Sequence, residues 1–211
     1  TLFRSPAECT VAKAVPAKKL AVLRAALRLF LEQGFGATSM DAIAREAGVS
    51  KATLYAHVKS KEELFAAITA TCAEQLLAAH TAFEHEADIR AALLRFGREH
   101  VALLLSPEGA AMYRIVIAEA PRFPELGRAF YKNGPAIRIK ALTEYLQRAD
   151  AAGVLKVDDA ARAASEFVGM LGGTVHLRAM LGHADEINPA EQQALVAHAV
   201  DAFLRAYGRG E

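Results

Sequence analysis

Side chains that can donate hydrogen bonds to nucleic acid are concentrated between residues 50 and 61. Lys51 and Thr53 can donate to base edges or phosphate oxygens, and Tyr55, His57 and Lys59 are suited to phosphate oxygens. The alanines between them are small enough for a helix to approach base edges closely. This mixture predicts a surface that contacts double-stranded DNA. The predicted DNA-binding residues are Thr38, Ser39, Ser50, Lys51, Ala52, Thr53, Tyr55, His57, Lys59 and Lys61.

Short helices joined by tight turns are predicted to hold these side chains, over residues 38–64. Thr38 is expected to cap the first helix, with Asp41 three residues later completing a capping box. Gly48 suits a left-handed turn, and Ser50 is a good cap for a second helix over residues 51–57. Two helices joined by such a turn can set the second one into the major groove of DNA. The alternative is a helical hairpin that has no role in DNA binding.

The order of residues in this segment resembles a known family. The run GVSKATLYAHVKSKEELF, residues 48–65, closely resembles the DNA-binding signature of TetR-type (tetracycline-repressor-like) transcription regulators, and LRLFLEQGFGATSMDAIAREAG before it continues the match. A looser match, YRIVIAEAPRFPELGRAFY at residues 113–131, is similar to the AefR-like branch of that family. The resemblance implies a helix-turn-helix regulator of transcription. It also implies a homodimer in which the last two helices of each subunit form a four-helix bundle.

Composition and charge agree with that interpretation. The 211 residues include no Trp, and no alternating β-type runs stand out, which favours an all-α protein. Residues 1–65 carry ten Lys and Arg against six Asp and Glu, whereas the remaining residues carry 15 against 18. The basic part therefore coincides with the predicted DNA-binding part.

The chain is expected to comprise a flexible arm (residues 1–16), a helix-turn-helix DNA-binding domain (17–65) and a larger helical domain for effector binding and dimerisation (66–211). The arm is basic enough to follow a DNA backbone, but a disordered tail is the plainer alternative. The first helix is predicted over residues 17–34. Further helices are predicted over 61–86, from Asp88 to Leu105, from about 108, and from Pro124 to Ala152 with a possible kink at 133–135. The last two are predicted over 159–181, capped by Asp158, and over 189–207, capped by Asn188.

The C-terminal part offers candidates for an effector pocket, although each is also a plausible core residue. These candidates are Phe96, His100, Met112, Tyr113, Phe123, Phe167 and His176. Such a lining would suit an apolar or aromatic small molecule. Arg114 and Glu119 are either exposed, paired with neighbours, or polar contacts within that cavity.

The dimer interface is expected to lie on the last two helices. Three glycines within five residues (Gly169, Gly172 and Gly173) suggest close backbone approach to a neighbouring helix, a partner subunit or a ligand, because Gly costs about 1 kcal/mol against Ala inside a helix. The apolar stripes there serve the intrachain core, the dimer, or both. The predicted interface residues are Phe167, Gly172, Leu195, Ala199 and Phe203.

Other classes of function find no support in the residues. Cys9 and Cys72 have no metal-type spacing, and His80 and His85 lie five apart, which does not suit two ligands on one helix face. No nucleophile, zinc-protease or phosphate-loop motif is present, so we predict no catalytic residue, no metal and no cofactor. With no signal-peptide layout and no run of about 18 apolar residues, a cytoplasmic location is expected.

These observations predict a sequence-specific transcription regulator, a repressor that a small-molecule effector releases from a palindromic operator. Two alternative functions are also considered for this sequence. A helical enzyme would need a catalytic motif that the sequence does not show. A regulator that binds DNA without an effector would have a completely filled C-terminal core.

Overall fold

A computed structural model describes residues 17–70 and 86–209. The predicted arm at residues 1–16, together with Cys72, His80 and His85, lies outside the described residues. The described helices are α1 (Ala17–Gln33), α2 (Met40–Glu46), α3 (Lys51–His57), α4 (residues 61–70), α5 (Ile89–Leu105), α6 (Pro107–Glu119), α7 (Pro124–Asn133), α8 (Pro135–Ala151), α9 (Ala160–Met180) and α10 (Pro189–Tyr207).

The prediction of an all-α protein is confirmed for the described residues, which contain no strand beyond an isolated bridge between Leu155 and Gly208. Most helix ends follow the predicted signals. Gly34 ends α1 with a φ of 83°, and Gly153 follows α8 with a φ of 75°. Asn188 caps α10 by accepting a hydrogen bond from the Glu191 amide at 2.9 Å.

Two predicted boundaries were wrong. Asp159, not Asp158, caps α9, because its carboxylate accepts the Arg162 amide at 3.0 Å. The segment from Pro124 forms two helices instead of one kinked helix. Gly134 between them has φ −125° and ψ −92°, which is far from helical geometry.

The chain divides into two compact units. Of the described residues, the first unit comprises 17–70 and 111–135, and the second comprises 86–110 and 136–209. The first unit is larger than the predicted 17–65, since Val116 of α6 and Leu126 of α7 are buried in one core with α1 to α4. Its largest fully buried side chains are Phe30, Phe35, Phe65, Ile43, Leu54, Leu64 and Leu126.

The second unit packs α5, α8, α9 and α10 around a separate core. Helices α5 and α10 approach closely at Gly97, where a Cβ atom would lie 2.7 Å from Val196 Cγ1. Only glycine fits this position without displacing the buried Val196 side chain.

The predicted dimer interface is wrong for three of its residues. Phe167, Ala199 and Phe203 are 0%, 1% and 0% exposed, because they form the core of their own subunit. Leu195 also packs against that core, whereas a Cβ atom added to Gly172 would meet no other atom within 4 Å. Gly169 is equally open. Gly173 has φ +39° and ψ −140°, a non-helical conformation that kinks α9 and that glycine adopts without penalty, so this bend of the backbone explains Gly173.

Among the described residues, no single helix is long and apolar enough to cross a membrane; only α5 followed by α6, a sharply bent pair, reaches that length and hydropathy.

Candidate nucleic-acid interface

The turn between α2 and α3 is set by Gly48. Its φ is +65°, a left-handed conformation that glycine adopts without penalty. The Gly48 amide donates to Arg45 O at 3.2 Å, and the Val49 amide donates to Ala44 O at 3.0 Å. This is the paired pattern of a Schellman motif, which satisfies the last carbonyls of α2 while reversing the chain. The predicted turn glycine is thus confirmed.

Helix α3 is fixed to the first unit by one face and exposes the other. Ser50 caps it, accepting the Thr53 amide at 3.1 Å, as predicted. Leu54 is fully buried, and Val58 just after the helix is 4% exposed. The side chains of Lys51, Ala52, Tyr55, Ala56 and His57 are all exposed. The helix therefore presents an outward face of hydrogen-bond donors separated by small residues.

Two of the predicted base-contacting groups already have partners on the protein surface. Lys51 Nζ lies 2.6 Å from Asp41 Oδ2, in an ion pair whose side chains are 65% and 59% exposed. Thr53 Oγ1 lies 2.9 Å from Ser50 Oγ. Exposed pairs of this kind contribute about 0–1 kcal/mol, so either group can exchange its partner for DNA at little cost.

Thr38 was wrongly predicted as a helix cap and as a DNA contact. The cap is Ser39, whose Oγ accepts the Ala42 amide at 3.1 Å. Thr38 is 2% exposed, and its hydroxyl lies 2.8 Å from Gly34 O and 3.2 Å from Leu29 O. Its side chain closes the loop between α1 and α2 and cannot reach DNA. Ser39 is exposed at the start of α2, where the helix N-terminus favours a phosphate.

Lys61 is directed inward instead of toward solvent. Its ammonium donates to Phe35 O at 2.7 Å and to Gly36 O at 3.2 Å, and lies 4.8 Å from the centre of the Phe35 ring. The Lys61 side chain therefore holds the α1–α2 loop. Lys59, by contrast, has an exposed side chain, while its amide donates to Glu63 at 2.6 Å.

The start of α4 carries a capping box whose second contact is displaced by one residue. Ser60 Oγ accepts the Glu63 amide at 3.2 Å, as the motif requires. The Glu63 carboxylate, however, reaches back to the amide of Lys59 and not to that of Ser60. The backbone amides of Lys59 and Glu63 at the start of α4 therefore both have a side-chain acceptor.

The predicted effector-pocket residues fall into both compact units. In the second unit, His100 lies parallel to Phe96 with ring centroids 5.9 Å apart, and Phe96 also contacts Phe167 at 6.1 Å. Burial lowers the pKa of His176 in that unit. In the first unit, Phe123 packs on Phe35 and Tyr113 packs on Phe130, and Met112 packs against the core around α1 to α4.

Arg138 was not singled out from the sequence, yet it is 4% exposed, with its guanidinium 5.0 Å from the centre of the Phe96 ring. The available signal was its position on the buried stripe of α8, four and seven residues before Leu142 and Tyr145. A charged residue on such a stripe indicates a polar group inside the core. The part of the chain that the structure describes contains no group of three His, Cys, Asp or Glu side chains that could hold a metal ion.

The Glu119 side chain is half-buried, and its partner is not a residue close to it in the sequence. Its Oε1 accepts the amide of Gly36 at 2.9 Å, across 83 residues of chain. No local pattern signals this contact, because the two residues meet only through the packing of α6 on the first unit.

Two family models match the chain. Residues 22–68 match the bacterial regulatory proteins of the tetR family, and residues 91–209 match the C-terminal domain of AefR-like transcriptional repressors. The chain belongs to the TetR family of transcriptional regulators. The first matched segment contains α2, the turn at Gly48 and α3, which correspond to the helix-turn-helix of the family, with α3 in the position of its recognition helix.

Relatives of known sequence or structure support this assignment. The regulator BetI of Rhizobium meliloti is 31% identical over 93% of this TetR-family chain and 94% of its own. A TetR-family regulator structure from Mesorhizobium loti is 31% identical, with a TM-score of 0.82 over 91% and 97% of the two chains. The flavonoid-responsive regulator FrrA is 39% identical, with a TM-score of 0.78 over 92% and 98%. The match to YerO of Bacillus subtilis is shorter, 47% identical over 22% of this chain and 16% of that protein.

The two lysines at the start of α4 should have separable effects. Lys59→Ala should reduce the steepness with which DNA binding falls with salt, by about 0.9 in the log–log slope for each subunit bound, because one phosphate contact is lost. Lys61→Ala should leave the slope unchanged but lower the free energy of unfolding by about 1 kcal/mol, because it releases two backbone carbonyls. Salt titration of duplex binding and urea unfolding measure these effects. A flatter slope in Lys61→Ala would show that its ammonium binds phosphate after all.

Proposed function

We propose that this protein is a homodimeric, ligand-responsive repressor that binds a near-palindromic operator and is released from it by a small aromatic molecule. The observation that carries the DNA-binding part is the geometry of α3. Leu54 fixes one face of the helix, and the opposite face presents Lys51, Tyr55 and His57 to solvent. Family membership supplies the general role as a transcription regulator, which would act in the cytoplasm beside the chromosome.

The dimer proposal is supported by an exposed apolar surface on α9. Gly169 lies before the kink at Gly173, Leu177 follows the kink, and Leu181 is the C-cap residue of α9; all four are exposed. Leu177 and Leu181, four residues apart at the end of α9, are 55% and 67% exposed, and neighbouring exposed apolar side chains of this size mark interaction surfaces. A second copy of α9 packed there would bury the leucines.

A stripe of small residues on α10 would extend that surface. Ala190, Ala194 and Ala197 are exposed, whereas Val196, Val200 and Phe203 on the other side fill the core. Pairing of both helices across a two-fold axis would place two recognition helices on one face of the DNA. This arrangement predicts half-sites about one helical turn, roughly 34–36 Å, apart.

The effector class is proposed from two sources. FrrA, 39% identical over nearly its whole length, is a flavonoid-responsive regulator. In the second unit, Phe96, His100 and Phe167 form a contiguous aromatic group, with the Arg138 guanidinium over Phe96. Planar phenolic compounds suit such surroundings, because aromatic faces stack and a guanidinium attracts partial negative charge.

The proposal is tested by selecting bound sites from random duplex DNA with the purified protein, then repeating the binding with flavonoids, phenolic acids and, for comparison, saturated fatty acids. We expect one enriched palindrome that a phenolic compound releases, while the fatty acids have no effect. An enriched palindrome that none of the phenolic compounds releases would contradict the aromatic effector. Absence of any enriched site would contradict operator binding itself.

The dimer surface is tested by Leu177→Glu, with Val154→Glu as the matched control. Both positions carry exposed aliphatic side chains in the second unit, but Val154 lies in the loop after α8. Leu177→Glu should sediment as a monomer with unchanged helix content and should bind the selected palindrome at least about tenfold more weakly, whereas Val154→Glu should remain dimeric. A dimeric Leu177→Glu protein would remove α9 from the interface.

A further inference from the structure

The loop between α1 and α2, residues 34–39, is held by charged side chains that come from two other helices. Lys61 of α4 donates to the carbonyls of Phe35 and Gly36. On the same peptide segment, the Gly36 amide donates to the carboxylate of Glu119, the last residue of α6. The loop is therefore fixed by a cation at its carbonyls and by an anion at its amide. Hydrogen bonds to charged groups are about twice as strong as neutral ones.

We propose that Glu119 is a positioning residue for DNA binding. Its carboxylate holds Gly36 in place, three residues before Ser39, which caps α2. The start of α2 is where a phosphate is expected, and α2 carries Asp41, the surface partner of Lys51 on the recognition helix. Operator affinity then depends on where the C-terminal end of α6 lies, and any displacement of that end withdraws the carboxylate from the loop.

The surroundings of Glu119 favour this role over that of a surface charge. The residue is half-buried, and Val116, one turn earlier in α6, belongs to the same core as Phe35. The Glu119 carbonyl accepts the amides of Arg122 at 3.0 Å and Phe123 at 2.8 Å, and Phe123 packs on Phe35. The backbone and the side chain of Glu119 thus both connect the end of α6 to the residues around the loop.

The direction in which removal of the Glu119 carboxylate changes DNA affinity distinguishes a tether, here the Glu119–Gly36 hydrogen bond, from simple charge repulsion. A carboxylate on a DNA-binding unit repels phosphate, so its removal alone should strengthen binding. The tether predicts the opposite, because the loop loses its anchor. This inference rests on operator binding in the proposed function and is independent of the effector.

The test measures binding of the palindrome recovered by site selection, using Glu119→Ala, Glu119→Gln and the control Glu125→Ala. Glu125 lies on α7 in the same unit, is exposed, and forms a local ion pair with Arg128. Glu119→Ala should bind about tenfold more weakly, equivalent to about 1.4 kcal/mol, while Glu125→Ala should bind as well as the wild type or better. Glu119→Gln should largely restore affinity, because its amide oxygen can still accept the Gly36 N–H.

A double-mutant cycle with Gly36→Ala tests the contact itself. Gly36 has no left-handed φ, so alanine is not strained there, but its Cβ would lie 3.0 Å from Glu119 Oε1 and 3.4 Å from Oε2. Gly36→Ala should weaken DNA binding in the wild type and have little effect in the Glu119→Ala background. Hydrogen exchange of the peptide containing Gly36 should accelerate in Glu119→Ala without a change in thermal stability of the second unit.

The outcomes distinguish this inference from the proposed function. If no site is enriched for the wild type, operator binding fails and the tether has no binding role to play. If a site is enriched and Glu119→Ala binds it within about twofold of Glu125→Ala, the positioning role is overturned while operator binding stands. Equal, additive losses in the double-mutant cycle would also overturn it.

Discussion

The burial of Phe35 is the contact on which the first unit depends. Its ring is fully buried and meets Phe30 of α1, Phe65 of α4 and Phe123 after α6, with centroids 5.1, 5.9 and 5.2 Å away. Removing a buried phenylalanine typically costs about 3–5 kcal/mol. Because Phe35 lies in the loop that leads into α2, the aromatic core that stabilises the unit also fixes where the helix-turn-helix begins.

The recognition helices need that support. Helices α2 and α3 have seven residues each, far below the length at which an isolated helix is stable in water. Their caps at Ser39 and Ser50 satisfy the first amides, and Ile43 and Leu54 attach them to the core. The polar contacts of Lys61, Thr38 and Glu119 then set the direction of the loop. Hydrophobic packing thus supplies stability, and hydrogen bonds supply the orientation that DNA recognition requires.

Local chemistry explains what could be predicted from the residues and what could not. The turn at Gly48 and the caps at Ser50 and Asn188 depend on a few consecutive residues, so the sequence predicts them correctly. The choice between Thr38 and Ser39 depends on which hydroxyl the core buries, which no local pattern reveals. Phe203 and Leu177 are both apolar helix residues, and only the packing of α5 against α9 and α10 shows that Phe203 faces inward while Leu177 faces outward.

Long-range contacts were the least predictable part. Glu119 and Gly36 are joined across 83 residues, and Arg138 reaches Phe96 from a different helix. Periodicity reports which face of a helix is apolar, but it does not report which other helix meets that face. The resemblance to TetR-type regulators supplied the fold and the role, whereas the positions of these polar side chains required the structure.

Hydroxyl-radical footprinting of the wild-type protein on the selected duplex shows whether two recognition helices bind one operator together. Two protected segments on one face of the DNA, with centres about one helical turn apart, are the result expected from a dimer of this architecture. A single protected segment, or protection that is uniform along the duplex, would contradict paired binding by two copies of α3.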